Sequence, residues 1–233
     1  QAGVRIWETA KFAEGLYYQP PNAIYPAAIS PDQKWLVTSG SDKTVQIYDI
    51  ENILSSPAVI PVEKNIVTHF AFDQINDWLA VANKTGDILI YQLPIAGYPV
   101  VPVYSLQGPN DEITWLEFSP LGSKGNWLVA SSGEEVYLWN MISPNDKSIT
   151  LQSKSNTTFV YSSFTNDGEW IITSSVDQTL QFWSMDLERM KRAACKFAER
   201  NFTRREWIRY FPGRGDLEET CQGFDYGLEQ IIN

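Results

Sequence analysis

The sequence contains one histidine and two cysteines, and this scarcity restricts the chemistry available to the chain. A zinc site needs several His or Cys ligands at short spacings, and the common nucleophile–base pairs need a histidine beside a serine or cysteine. No glycine-rich loop of the phosphate-cradling type is found in the sequence either. We therefore expect no catalytic residue, no metal ligand and no cofactor, and hence no enzyme. A hydrolase built from carboxylates alone remains an open alternative.

Long apolar runs and an excess of positive charge are also lacking. No stretch approaches the roughly 18 residues that a membrane-spanning helix needs, so we expect no membrane partner. The chain carries 18 Lys and Arg against 28 Asp and Glu, a net charge of −10, which argues against nucleic acid as a partner. Two cysteines are too few for a disulfide framework, and a cytoplasmic protein is the expectation.

Aromatic residues, by contrast, are abundant and periodic. Four tryptophans each open a short apolar segment at spacings of 43, 49 and 43 residues, and a second aromatic follows 12 or 13 residues after each. The leading set is Trp35, Trp78, Trp127 and Trp170, and the second set is Tyr48, Tyr91, Trp139 and Trp183. Each copy has about four short strand-like segments separated by polar turns. Four short strands in about 40–45 residues is the period of a β-propeller blade.

This pattern resembles the WD-repeat (WD40) family over residues 1–185. The signature dipeptide is present as Tyr48-Asp49, whereas the family's Gly-His pair is missing. Asp42 and Asp177 match the family's buried aspartate, in the turn six residues before the second aromatic. The resemblance implies an all-β WD-repeat propeller portion. Its strictly periodic tryptophans are assigned to packing of the blades, namely Trp35, Trp78, Trp127 and Trp170.

We predict about four and a half blades. A partial blade at residues 1–20 opens with a segment typical of a third strand, and four blades centred on 35–49, 78–92, 127–140 and 170–184 follow. The resemblance implies a ring of about seven blades, so we expect either further residues upstream or a second chain that completes the propeller. A self-contained small propeller is the alternative.

Beyond residue 185 the periodicity changes from strand to helix. Apolar residues recur at helical spacing over Leu187–Arg200, and Thr203 with Glu206 forms a capping box for a second short helix before Pro212. We assign residues 186–222 to a helical basic tail and 223–233 to a terminal segment. The tail resembles one at the C-terminus of large bacterial WD-repeat proteins through Ala194-Cys195, Ala198, Arg200-Asn201-Phe202-Thr203, Glu206-Trp207, Tyr210 and Thr220-Cys221.

The tail resemblance implies a modular protein. In that family an upstream effector performs the chemistry, either a signal-transduction NTPase of the STAND class or a caspase-like or trypsin-like protease. The hypothesis is therefore a protein- or ligand-recognition module that acts as the sensor or regulatory domain of a multidomain bacterial signalling or defence protein. Its partner is another protein or the effector domain of the same polypeptide. The alternative is a passive scaffold that assembles a multi-subunit complex.

One column of the repeat is a candidate partner-binding site. It contains His69, Trp115 and Tyr161, with Pro26 as the fourth member. The resemblance places this part of the first strand near the rim of the central channel, where a ring of bulky aromatics is typical of a binding hot spot. The alternative is that these side chains only fill space between blades.

The tail offers a second, basic candidate site at Arg204, Arg205 and Arg209. These residues belong to a segment that holds half of the basic residues of the chain. We expect the segment to dock on the acidic propeller or to expose a solvated face, because charge complementarity of this kind is common in multidomain chains. A phosphate or nucleic-acid contact and an acidic protein partner are the alternatives.

The two cysteines receive a structural interpretation. Cys195 lies beside Ala194 on the apolar face of the first helix, which favours a buried, inert thiol. A redox switch between Cys195 and Cys221 is the alternative.

Overall fold

Every segment that opens with one of the four periodic tryptophans forms a β-strand in an antiparallel sheet. The computed structural model describes residues 4–6, 16–18, 23–40, 42–62, 66–94, 100–120, 122, 125–153, 156–210 and 216–223. The chain divides into two units, a repeat unit of residues 1–183 and a tail unit of residues 184–233.

The strands of the repeat unit are hydrogen-bonded in chain order within successive sheets. A two-stranded sheet holds β1 (Val4–Ile6) and β2 (Leu16–Tyr18). The first blade contains β3 (Ala23–Ile29), β4 (Trp35–Gly40), β5 (Thr44–Asp49) and β6 (Ala58–Pro61). The second contains β7 (Val67–Phe72), β8 (Trp78–Asn83), β9 (Ile88–Gln92) and β10 (Tyr104–Leu106).

The third and fourth blades repeat this arrangement. The third contains β11 (Trp115–Phe118), β12 (Trp127–Ser132), β13 (Glu135–Asn140) and β14 (Ile149–Gln152). The fourth contains β15 (Phe159–Phe164), β16 (Trp170–Ser175) and β17 (Leu180–Ser184), three strands within the described residues. The first strands of consecutive blades, β3, β7, β11 and β15, are neighbours from one blade to the next.

The sheet register explains why the repeat has two aromatic anchors. The residue after the leading tryptophan pairs with the second aromatic, as in Leu36 with Tyr48, Leu79 with Tyr91 and Leu128 with Trp139. These second aromatics are at most 3% exposed, whereas all four leading tryptophans are only half-buried. The second aromatic is therefore a main core residue of the first three blades, whereas Trp183 of the fourth blade is half-buried.

The core is shared between neighbouring blades. One cluster joins β4 and β5 of the first blade to β8 and β9 of the second, through Val37, Ile47, Leu79 and Tyr91. Another joins the second blade to the third and includes Ile88, Ile90, Leu128 and Trp139. Because each sheet buries its faces against the next, a single blade lacks a complete core of its own.

A side-chain hydroxyl fixes the turn before the Trp-led strand in three blades. The hydroxyl oxygen accepts a hydrogen bond from the backbone N–H of the tryptophan in the pairs Ser30–Trp35 (2.9 Å), Ser119–Trp127 (3.0 Å) and Thr165–Trp170 (3.1 Å). In the second blade Asp73 follows the first strand, and its carboxylate accepts from the N–H groups of Ile75 and Asn76. Such local bonds favour a turn over continued strand.

Asp42 and Asp177 are exposed, so the prediction of a buried aspartate in this turn is wrong. The carboxylate instead accepts a hydrogen bond from the hydroxyl of the threonine two residues on, at 2.7 Å for both Thr44 and Thr179. Between each pair lies a residue with positive φ, which turns the aspartate outward to cap the surface of the hairpin.

The predicted fold class is confirmed: antiparallel propeller blades of the WD-repeat type are followed by two helices at the C-terminal end. Most of the partial blade predicted for residues 1–20 lies outside the described residues, as do residues 224–233 of the terminal segment. Neither helix among the described residues is long and apolar enough to cross a membrane.

The tail unit contains α1 (Leu187–Ala198) and α2 (Arg204–Tyr210). Asp186 caps α1 by accepting from the N–H of Arg189. The helix ends at Ala198, two residues before the predicted end, and its C-cap Glu199 has a left-handed φ of 53°. The predicted capping box of α2 is present: Thr203 Oγ1 accepts from the N–H of Glu206 at 3.2 Å, and the Glu206 carboxylate accepts from the N–H of Thr203 at 2.9 Å.

A disulfide joins Cys195 to Cys221, so the prediction of an inert free thiol is wrong. Both cysteines are buried, and their Cα atoms lie 5.3 Å apart. Asn201 brings the two segments together, because its Oδ1 accepts from the N–H groups of Thr220 (2.8 Å) and Cys221 (2.6 Å) and its Nδ2 donates to Cys221 O at 3.0 Å. Asn201 is 1% exposed, which also argues against its Asn-x-Thr triplet as a glycan acceptor in the folded protein.

Candidate functional site

The three aromatic residues of the predicted column lie side by side in the structure. His69 is on β7, Trp115 on β11 and Tyr161 on β15, the first strands of three consecutive blades. The His69 and Trp115 ring centroids are 5.9 Å apart, and those of Trp115 and Tyr161 are 4.4 Å apart. His69 and Trp115 are half-buried and Tyr161 is 38% exposed, so these rings form a partly exposed surface, here called the aromatic rung.

Irregular strand pairing precedes each member of the aromatic rung. The register shifts between Val67 and His69 in β7 and between Phe159 and Tyr161 in β15. At β11 the N–H of Thr114 bonds to Ser131 O, although Ser131 is already the partner of Trp115 in the ladder. A bulge adds one residue and re-aims the next side chain, so the same local device places all three rings.

Pro26, the fourth member of the predicted column, lies on β3 and is buried. The register of β3 also shifts before the following residue, between Ile24 and Ala27. Pro26 continues the column into the first blade with an apolar ring in place of an aromatic one.

Glu117 is a residue of this site that the sequence analysis missed. It lies two positions after Trp115 on β11, and its Oε2 accepts from the Trp115 indole N–H at 3.3 Å. Its Oε1 accepts from Ser163 Oγ of the next blade at 3.1 Å. Burial raises the pKa of the Glu117 carboxyl, and the hydrogen bonds from Ser163, Trp115 and the Phe164 backbone act in the opposite direction.

The position of Glu117 in the repeat could have pointed to it. The same column holds Ala28 in the first blade, Ala71 in the second and Ser163 in the fourth. A glutamate among small residues, on the strand that already carries Trp115, is the exception in that column. What the sequence could not supply is the hydrogen bond from Ser163, because it joins two different blades.

A cavity of about 340 Å³ lies against this site. It is lined by the first strands of all four blades, including Ala28, Phe70, Ala71, Leu116, Glu117 and Ser163. Among its lining residues Glu117 alone is charged, and most of the others are aliphatic or aromatic. The surface that these residues present to the cavity is more polar than apolar.

His69 contributes a neutral ring to the aromatic rung at neutral pH. Burial lowers the pKa of its imidazole, while a hydrogen bond to the Ile113 backbone and the charge of Glu112 act to raise it. The imidazole therefore adds aromatic surface beside Trp115 without adding a positive charge.

The arginines of the second predicted site, Arg204, Arg205 and Arg209, are all exposed on α2. A bidentate ion pair of this unit joins two other residues, Arg200 and Glu206. The Arg200 guanidinium donates to both Glu206 oxygens at 2.8 and 2.9 Å and, with the Thr203 backbone, lowers the pKa of Glu206 to about 2. Partner binding by the three exposed arginines stays a prediction.

Two further clefts, each of about 400 Å³, lie elsewhere in the repeat unit. One is formed by turns of the first two blades and includes Ser30, Trp35 and Asp73. The other lies near Gly133 and Tyr137 of the third blade, where burial and the neighbouring Glu135 raise the pKa of Tyr137 to about 12. Across the described part of the chain, His, Cys, Asp and Glu side chains form no group of three or more that could hold a metal ion.

Comparison with known proteins agrees with the fold. The family model described as "WD domain, G-beta repeat" (WD40) matches residues 23–49 and 147–184. The target of rapamycin complex subunit LST8 of Saccharomyces cerevisiae is 24% identical over 200 residues, a match that covers 68% of this chain. The chain spans 65% of the length of that relative. The fold is a portion of a WD-repeat β-propeller, and WD repeats indicate a protein-interaction module.

Proposed function

We propose that the repeat unit is a non-catalytic module that recognises a protein partner through the aromatic rung. The observation that carries this proposal is the continuous surface of His69, Trp115 and Tyr161, built from three blades and open to solvent beside a cavity. Tryptophan and tyrosine are enriched at interface hot spots because they bury a large rigid surface at a small loss of conformational entropy.

The charge of the repeat unit supports a partner with a basic contact surface. Residues 1–183 contain nine Lys and Arg and nineteen Asp and Glu, a net charge of −10. A surface of this sign steers basic partners toward it and disfavours acidic ones. The likeness to LST8, which is a subunit of a complex, is in keeping with a module that works within a larger assembly.

Within such an assembly we propose a sensor or regulatory role in a multidomain bacterial signalling or defence protein, in the cytoplasm. The tail motif supports this role, since it resembles the tail of bacterial proteins that carry an upstream effector. The likeness to a complex subunit favours the second candidate, a passive scaffold. Deleting the repeat unit from the full-length protein distinguishes these two roles. If the repeat unit is a sensor, its deletion changes the effector activity of the remaining chain. If it is a scaffold, its deletion disrupts assembly alone.

Site-specific photo-crosslinking tests the recognition site itself. A benzoylphenylalanine replaces Tyr161 in the full-length protein, and a matched variant carries it at Leu54, an exposed residue on the turn after β5. After irradiation in cells that express the protein, we expect a defined protein adduct from position 161 and none from position 54. Identical adducts from both positions, or none from position 161, would contradict recognition at the aromatic rung.

A further inference from the structure

We infer that Glu117 and the aromatic rung form a binding site for one organic cation, the ammonium or guanidinium end of a lysine or arginine side chain of the partner. This inference rests on the proposed function, because it names the chemistry by which a protein partner would be held. The partner is thus expected to insert a basic side chain beside Trp115 and Tyr161.

Glu117 is half-buried, and its carboxylate is the charged group of a cavity whose other lining residues include Phe70, Leu116 and Ser163. Burying an ionised carboxylate without a counter-charge is unfavourable, and burial indeed raises the pKa of this carboxyl. Within the described residues no salt bridge to Glu117 is formed, so its charge is balanced by hydrogen bonds alone.

The fold does not need this charge. Ala28, Ala71 and Ser163 hold the same place in the other three blades, and each of them still pairs with the second strand of its blade. A half-buried charge that the architecture does not require, placed where a cavity opens, is typical of a residue kept for a ligand. The ligand that offsets a carboxylate carries a positive charge.

Aromatic rings lie beside the Glu117 carboxylate. The indole N–H of Trp115 is bonded to Glu117, which fixes the tryptophan ring against the acid, and the Tyr161 ring centroid is 4.4 Å from that of Trp115. Tryptophan and tyrosine faces attract cations, and a carboxylate next to them adds a direct ion pair. His69 completes the rung as a neutral ring, so it does not repel a cation at neutral pH.

Minimal cations test the site without knowledge of the partner. The full chain is titrated with tetramethylammonium chloride and, separately, with methylguanidinium chloride, and the tryptophan indole N–H signals are followed by NMR. Sodium chloride controls for ionic strength, and tert-butanol supplies a neutral molecule of similar shape to the ammonium. We expect saturable shifts of the Trp115 signal, assigned through Trp115→Phe, with at least one organic cation and not with tert-butanol or sodium chloride.

Two charge-matched variants complete the test. Glu117→Gln removes the proposed counter-charge at constant size, and Glu51→Gln removes an exposed carboxylate from the turn after β5. We expect Glu117→Gln to weaken cation binding about tenfold or more, since the negative charge that attracts the cation is lost, and Glu51→Gln to leave it unchanged. If Glu117→Gln does not fold, Tyr161→Leu serves in its place, with weaker binding expected from the loss of one ring.

The inference is overturned if tert-butanol shifts the Trp115 signal as strongly as the cations, if neither cation produces a saturable shift, or if Glu117→Gln binds as well as the native chain. A protein adduct at position 161 together with any of these results leaves recognition at the aromatic rung standing and removes only its cation chemistry. Cation binding without a protein adduct at position 161 supports the cation site and contradicts recognition of a protein partner at the aromatic rung.

Discussion

Glu117 and Ser163 join two blades directly, with the Ser163 hydroxyl donating to Glu117 Oε1 at 3.1 Å. The same carboxylate accepts from the Trp115 indole, so one side chain links blade packing to the aromatic rung. A change at Glu117 therefore acts on both the stability of the repeat unit and the proposed binding.

Replacing Glu117 by glutamine should raise the stability of the free protein at neutral pH. Because burial raises the folded-state pKa above the unfolded value of 4.5, the folded state holds the proton more tightly. Ionisation of Glu117 then lowers stability as the pH rises from the unfolded pKa through the folded pKa, and the full loss is present above the folded pKa. Urea unfolding should give Glu117→Gln the higher free energy of unfolding at pH 7, with a smaller difference at pH 4. A less stable variant at pH 7 would contradict the prediction.

Cation binding should weaken as the pH falls, because the protonated Glu117 carboxyl has no charge to offer. The midpoint of this loss should lie above pH 4.5, in keeping with the raised pKa of the group. Tetramethylammonium titrations from pH 8 to pH 4 measure it. His69 protonates at low pH and would repel a cation in the same range, so a His69→Gln variant serves as the control and should retain the pH dependence. A pH-independent affinity in that variant would be inconsistent with the role of Glu117.

Trp139 should matter more for folding than the tryptophan that leads the neighbouring strand. Trp139 is 2% exposed in the core between the second and third blades, whereas Trp127 is half-buried. Trp139→Ala should lower the free energy of unfolding by about 3–5 kcal/mol, and Trp127→Ala by less, since the loss scales with the buried surface and the cavity left behind. Urea denaturation followed by circular dichroism compares the two. Equal losses would show that both anchors carry the same packing role.

Asn201 should be the side chain on which the order of the tail unit depends. Removing it in Asn201→Ala leaves the N–H groups of Thr220 and Cys221 and the carbonyl of Cys221 without their partner. Because each buried backbone group left unsatisfied destabilises by about 1–3 kcal/mol, we expect a loss of at least about 2 kcal/mol in the tail unit. Hydrogen exchange at residues 216–223 measures it, with the exposed Asn156→Ala as the control. Unchanged protection in Asn201→Ala would refute the prediction.

Reduction of the Cys195–Cys221 disulfide should loosen the tail unit and leave the blades unaffected. The two cysteines are 26 residues apart, and closing a loop of that length stabilises by about 3 kcal/mol. Alkylation of the unreduced, unfolded chain followed by intact-mass measurement should find no free thiol. After reduction, exchange should accelerate in α1 and α2 but not in β4, β8 or β12. Two free thiols in the unreduced protein would contradict the pairing.

Local features of the sequence were sufficient to predict the strands and helices. Trp35, Trp78, Trp127 and Trp170 each begin a strand as their spacing predicted, and Thr203 with Glu206 forms the expected cap, because both patterns depend on residues close in the chain. Contacts between distant residues were not predictable in the same way. Glu117 is tied to the next blade by Ser163, which is 46 residues away in the chain. Cys195 forms a disulfide with Cys221, whose segment is held in place by the side chain of Asn201.

The irregular pairing ahead of His69, Trp115 and Tyr161 has a consequence for how such a protein diversifies. Each bulge is formed by backbone hydrogen bonds. The position of the next side chain therefore does not depend on which residue it belongs to. Pro26, His69, Trp115 and Tyr161 are four unlike residues at one repeated position, and all are tolerated there. The preference of the proposed binding site can thus change by single substitutions along this column while the blades keep folding as before.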